Sequence, residues 1–99
     1  MKAPDATERE EWLVLHAQAG DREAFDDLLR AIQLPLFRYI TNLVREETMA
    51  EDILQEVFMR IYRNLTWLNE PKLFRPWAYR IATNEAFRQL KKQRRWSKQ

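Results

Sequence analysis

Apolar residues recur along the chain at steps of three and four, with no sustained two-residue alternation, so the pattern predicts helices and almost no strand. Trp12, Leu13 and Leu15 mark a first helix. Thr7-Glu8-Arg9-Glu10 ahead of them has the form of a capping box, in which hydroxyl and carboxylate satisfy each other's orphan backbone donors. This helix should run to about Ala19 and stop at Gly20, the only glycine and a natural left-handed cap. Asp21 is placed to cap a second helix whose stripe is Phe25, Leu28, Leu29 and Ile32, continuing through Leu36, Phe37, Ile40, Leu43 and Val44. Pro35 removes a donor midway, so a kink or a short break is expected there, with helix on both sides. Residues 45–47 read as a polar connection.

A second capping box, Thr48-Met49-Ala50-Glu51, opens a third helix. Ile53, Leu54, Val57, Phe58, Ile61 and Leu65 form its broad apolar stripe, and Asp52, Gln55, Glu56, Met59 and Arg63 fall mostly on the other side. The helix dipole accounts for acids in the first turn, but Gln55 and Glu56 lie beyond it and have no evident structural duty. Asn69-Glu70-Pro71 breaks the pattern, which predicts a loop from about Thr66 with a short turn at 71–74. The final helix should begin near Pro76, since proline suits a first turn and not an interior. Tyr79, Ala82, Ala86 and Leu90 are its expected core side, and beyond Arg94 no periodic signal remains. The expected fold is therefore all-α, a small bundle of about four helices over residues 7–95, with flexible ends at 1–6 and 96–99.

Ninety-nine residues suffice for one modest core. Without cysteine there is neither a disulfide framework nor a thiolate metal site, and the single histidine, His16, reads as a packing or surface residue. No metal or cofactor is expected. No apolar run approaches a membrane span and no signal peptide pattern follows the N-terminus, so the expected location is the cytoplasm, without membrane insertion. Charge changes the picture more. Residues 1–59 carry 13 acidic and 6 basic side chains, whereas residues 60–99 carry 2 acidic and 11 basic, so a net charge of +2 conceals a strong dipole. The basic half suits an anionic partner such as nucleic acid; the acidic half suits solvent or a basic protein surface.

The candidate chemistry lies in the basic half. On a helix, Arg80, Asn84, Arg88, Lys91 and Arg95 share one face, offering cations to phosphates and an amide to a base edge. Trp67, Phe74, Trp77 and Tyr79 cluster just ahead, as handling unstacked bases requires. A solvated charged face with a few core aromatics is the plainer alternative. No paired nucleophile and base, phosphate loop or metal cluster is evident, so the chain is not expected to be an enzyme.

AEDILQEVFMRIYRNL followed by LFRPWAYRIATNEAFRQLKKQRR resembles region 2 of a bacterial sigma-70 family factor, of the extracytoplasmic-function group. Two groups carry the likeness: Asp52, Gln55 and Glu56, in the order D-x-x-Q-E, and the string from Trp77 to Asn84. The resemblance implies a helical bundle that binds the clamp helices of the RNA polymerase β′ subunit and recognises and opens the promoter −10 element, on the non-template single strand. Asp52, Gln55 and Glu56, with Met59 beside them, would then meet the polymerase core. The loop from Thr66 to Arg75 matches the family segment that holds a flipped base, with Asn64, Trp67 and Leu68 as wall and polar groups. Here Asn69-Glu70-Pro71 replaces the glycine-containing turn often found at that place.

Trp77 matches the first of two adjacent wedge tryptophans of housekeeping factors, and the second position is Ala78. Asn84 matches the base-reading position, while Arg80, Arg88, Lys91 and Lys92 would hold the backbone. Complete factors of the group carry a second domain that reads the −35 element; this sequence is expected to be the −10 module without it. The resemblance leaves room for an anti-sigma factor as a further partner. Two readings stand beside it: a generic helical double-stranded DNA-binding regulator, and a helical protein-interaction module.

Overall fold

The computed structural model describes residues 5–97. Four helices follow one another: α1 (Ala6–Gln18), α2 (Arg22–Val44), α3 (Glu47–Asn64) and α4 (Phe74–Ser97). Two short 3₁₀ turns, Leu65–Trp67 and Pro71–Leu73, join the last two helices. The described residues form the all-α bundle that the spacing predicts, with no strand.

The central element is α2, on which α1, α3 and α4 all pack. Its buried residues are Ala24, Leu28, Ile32, Leu36, Ile40 and Val44, every fourth position from one end to the other. A step of four advances a stripe by roughly 40° around a helix of 3.6 residues per turn. The buried face therefore winds around α2 and can serve three neighbours in succession. Of the kink or short break expected at Pro35, the break is absent: α2 is helical on both sides and runs through the proline. Proline leaves the carbonyl of Ala31 without its donor, but Ala31 is exposed, where water can take the bond. Leu36 and Ile40, wholly buried beyond the proline, keep both halves in one register.

Both expected capping boxes are replaced by a carboxylate two residues upstream. Asp5 caps α1, its Oδ1 accepting from the Glu8 N–H at 2.8 Å, with Thr7 already inside the helix. Glu10 is released to accept from Arg75 Nε at 2.8 Å, which ties α1 to the start of α4. Glu46 caps α3, accepting from the Thr48 and Met49 N–H groups at 3.1 and 2.7 Å. Charged acceptors at the positive end of a helix make stronger bonds than a hydroxyl. The polar connection is thus only Arg45 and Glu46, with Arg45 turning the chain in the left-handed region at φ 61°. The stop at Gly20 is as expected: φ is +99°, and the Gly20 and Asp21 N–H groups bond the Ala17 and His16 carbonyls, the paired bonds of a Schellman end.

Helix α4 starts at Phe74, two residues before Pro76, which still lies in the first turn where its missing N–H costs nothing. The helix continues through Ser97, whose hydroxyl donates to the Gln93 carbonyl at 3.1 Å, so Trp96 and Ser97 are helical rather than part of a tail. Residues 1–4 and 98–99 of the expected flexible ends lie outside the described residues. Phe74, Ala78, Ala82 and Ala86 are wholly buried, and alanine at successive turns lets α4 approach its neighbours closely. Tyr79 and Leu90 are half-buried, Tyr79 meeting Tyr39 of α2 edge to face at 4.9 Å.

One charged side chain shares the buried stripe of α4. Glu85 is 2 % exposed. Arg88 reaches it with a fork, NH2 to Oε1 at 2.8 Å and Nε to Oε2 at 3.2 Å, and Gln89 Nε2 donates to Oε1 at 3.1 Å. Arg60 of α3 brings NH2 within 3.4 Å of Oε2, while its Nε lies 3.3 Å from Glu56 Oε1, an ion contact not aligned as a hydrogen bond. Burial pushes the Glu85 carboxyl up, but the bonds from Arg88 and Gln89 and the charges of Arg88 and Arg60 outweigh it and hold the group below its ordinary value.

Two outcomes follow from this packing. Glu46→Ala should cost about 1 kcal/mol through the lost cap, whereas Thr48→Ala should stay within about 0.5 kcal/mol; urea unfolding of the two variants separates them. A depressed carboxyl stabilises the fold above its unfolded-state pKa and loses that contribution as pH falls through the folded value. The stability gap between the wild type and Glu85→Gln should therefore be full at neutral pH and shrink below roughly pH 4.3. A gap independent of pH down to acid would place the Glu85 charge outside these pairs.

Candidate nucleic-acid and protein interfaces

Where the end of α3 and the turn after it face α4, a groove of about 360 Å³ opens. Asn64 and Trp67 line one side, Trp77, Ile81 and Asn84 the other, and Arg60, Glu85 and Arg88 complete it. Five of the residues singled out in the sequence thus share one concavity, although 24 positions separate Asn64 from Arg88.

Each is held by an identifiable contact. Trp67 projects from the first 3₁₀ turn with 77 % of its surface exposed. That turn is pinned by Gln18 at the end of α1, whose amide donates to the carbonyls of Leu65 and Leu68, both at 2.8 Å. Asn64 donates to the Arg60 carbonyl at 2.9 Å, closing the last turn of α3. Trp77 is half-buried, its ring tilted against Phe74 at a centroid distance of 6.2 Å. Asn84 is exposed, and among the described residues its side chain has no partner. Glu70 has a local duty: its carboxylate accepts from the Lys72 N–H at 3.3 Å and caps the second 3₁₀ turn.

Two expectations need correcting. Leu68 does not stand on the groove wall; it is buried in the core, because the turn that exposes Trp67 rotates the next residue inward. Glu56 does have a structural partner, Arg60, four residues on along α3. Sequence reasoning also missed Gln18 and Glu85. Gln18 carries no local signal, since its bonds span 47 and 50 residues. Glu85 had one: it lies seven residues after Ala78 and three after Ala82, on the apolar stripe itself.

Outside the groove, Arg80, Lys91 and Lys92 are exposed and form no ion pair among the described residues. Every residue from Lys91 to Ser97 is exposed, so the last two turns of α4 stand clear of the bundle as a basic rod. On the outer face of α3, Asp52, Gln55 and Met59 are exposed and Glu56 is partly so. Met59 also borders a shallow hollow with Phe25, Phe58 and Tyr62, giving the acidic face an apolar shelf. His16 is exposed and stacked on Trp12 at 3.9 Å. Among the described residues no cluster of three His, Cys, Asp or Glu side chains could hold a metal ion. No helix is long and apolar enough to cross a membrane.

Comparison with known proteins agrees with this geometry. The family described as Sigma-70 region 2 matches residues 28–96. The chain is 37 % identical over 79 residues to the RNA polymerase sigma-H factor of Pseudomonas aeruginosa, covering 80 % of this chain and 41 % of the relative. It is 30 % identical over 81 residues to the ECF RNA polymerase sigma factor SigW of Bacillus subtilis, covering 82 % and 43 %. With the ECF RNA polymerase sigma-E factor of Haemophilus influenzae it shares 34 % over 74 residues, covering 75 % and 39 %. The chain therefore spans less than half the length of these curated relatives. No solved structure matches it significantly. Helical bundle, motif positions and family match agree, and the chain belongs to the sigma-70 family as a region 2 domain of the extracytoplasmic-function group.

Proposed function

We propose that this domain acts in transcription initiation, docking on the RNA polymerase core through the outer face of α3 and recognising and helping to open the promoter −10 element with α4 and the turn before it. The reading involves no enzymatic chemistry and places the protein in the cytoplasm, where polymerase and promoter are. The observation that carries it is the groove itself, which brings two tryptophans and two asparagines together beside a projecting basic helix. Tryptophan faces accept unstacked bases, asparagine amides distinguish base edges, and the free cations of α4 suit phosphates. Separate faces serve the two partners. Asp52, Gln55, Glu56 and Met59 form an acidic and amide surface with an apolar shelf, complementary to a basic helical protein surface such as the β′ clamp helices. An anti-sigma protein, if one acts on this factor, would compete for either face.

The docking face has a direct test. Asp52 is exposed and unpaired among the described residues. Asp52→Lys should therefore change stability by no more than about 0.5 kcal/mol and yet sharply weaken capture of the polymerase core in a pull-down. Glu56→Lys should weaken capture too, but with an added stability loss from breaking the Arg60 contact. A folded Asp52→Lys protein that captures core normally would remove this helix face from the interface.

For DNA, Asn84→Ala should change which base is preferred at one −10 position, costing roughly 1–3 kcal/mol against the correct base. Trp77→Ala should reduce opening of duplex more than binding to DNA that is already single-stranded. Fluorescence anisotropy on matched single-stranded and duplex −10 probes, with polymerase core present, reads both. Equal losses on every probe would reduce the groove to an electrostatic anchor.

A further inference from the structure

The groove contains a charge arrangement that the proposed DNA and polymerase contacts leave without a role. Arg88 sits on the same α4 face as Arg80 and Lys91, and by spacing alone it is another phosphate contact. Its guanidinium is already committed, however: Nε and NH2 both bond the two oxygens of Glu85. Arg60 faces the same carboxylate from α3 and also meets Glu56, which does not line the groove, so both cations of this wall are tied to carboxylates. The charge of Arg88 is cancelled by Glu85, and a phosphate placed on it would gain little. What remains is geometry, a guanidinium plane fixed in orientation by its fork to Glu85, in the same groove as Asn84 and the two tryptophans.

We propose that Glu85 is a positioning residue for base discrimination: by holding the Arg88 fork it converts a potential phosphate contact into a fixed, charge-paired wall of the groove. The carboxylate is suited to this because it is buried while Arg88 is 61 % exposed, so the anchored end is internal and the presented edge faces the ligand. Bidentate pairing sets the plane of the guanidinium as well as its position. Gln89 and Arg60 satisfy the remaining capacity of the carboxylate, which holds Glu85 in turn. Phosphate contacts then fall to Arg80, Lys91 and Lys92, whose cations are free of ion pairs among the described residues.

This inference rests on the proposed −10 reading, and the experiment separates the two. Anisotropy with the full chain and polymerase core measures affinity for a labelled single-stranded −10 oligonucleotide and for versions abasic at single positions, across a salt series. The wild type should prefer the intact strand to at least one abasic version; if it prefers none, base reading fails and this inference with it. Given that preference, Arg88→Gln should leave the salt slope unchanged and reduce the intact-to-abasic ratio at least about fivefold. Glu85→Gln should reduce the ratio similarly and steepen the slope by about 0.7, because the released Arg88 now neutralises a phosphate. Lys91→Gln, the control for a free cation, should flatten the slope and spare the ratio. A merely structural role for Glu85 would alter stability without moving either quantity. The proposal is overturned if Arg88→Gln flattens the slope by about 0.7 with the ratio intact, or if a folded Glu85→Gln protein keeps both. Should Glu85→Gln fail to fold, Arg88→Lys, which keeps a cation beside Glu85 but loses the fork, decides alone: a lower ratio at an unchanged slope is expected, and an unchanged ratio overturns the proposal.

Discussion

The buried carboxylate of Glu85 is the contact on which the functional side of the molecule depends. Glu85 lies among the alanines by which α4 approaches its neighbours, a place where an unpaired charge would be strongly unfavourable. Its partners come from two helices: Arg88 and Gln89 of α4, and Arg60 of α3. Satisfying one buried charge therefore fixes the lateral relation of α3 to α4, and that relation is the groove. The Arg60 contact with Glu56 carries the same chain of charges to the outer face of α3. The groove and the outer face of α3, the proposed docking face, are joined through one ionic network of four residues.

Two contacts from α1 complete the arrangement. Gln18 holds the turn that presents Trp67, and Glu10 holds Arg75 at the start of α4. The first helix lies outside the matched segment, 28–96, yet it supports both ends of the connection that leads into the groove's tryptophans. Fold and interface are thus coupled through a few polar bonds across a bundle otherwise held by apolar stripes. The winding stripe of α2, with its four-residue step, supplies the common surface that lets three helices share one core.

Much of this was legible in the sequence because helices announce themselves by period. The apolar stripes, the stop at Gly20 and the Asp21 cap were all readable locally; Asn64 entered through the family resemblance, and only the fold brings it into one groove with Trp67, Trp77 and Asn84. The departures have physical reasons. Thr7 and Thr48 fit the hydroxyl box pattern, but that pattern does not weigh a carboxylate two residues upstream, and Asp5 and Glu46 take the caps. Pro35 does not interrupt the helix, and Ala31, whose carbonyl loses its donor, is exposed where water can serve it. Leu68 leaves the groove that Trp67 still lines, because the 3₁₀ turn directs the neighbouring residue into the core. Glu85 was hidden by the habit of reading charge as surface, although the spacing from Ala78 and Ala82 puts it inside. Gln18 was not accessible by local reasoning at all, since only the folded chain brings it to Leu65 and Leu68.

The most direct measurement is a structure of the chain with polymerase core and a single-stranded −10 oligonucleotide, at a resolution that separates base from phosphate. The account places a base in the groove beside Trp67, Trp77 and Asn84, the Arg88 fork still on Glu85, and phosphates on Arg80, Lys91 and Lys92. A phosphate bound by Arg88 with the Glu85 pair broken, or an empty groove with the strand held elsewhere, would contradict it.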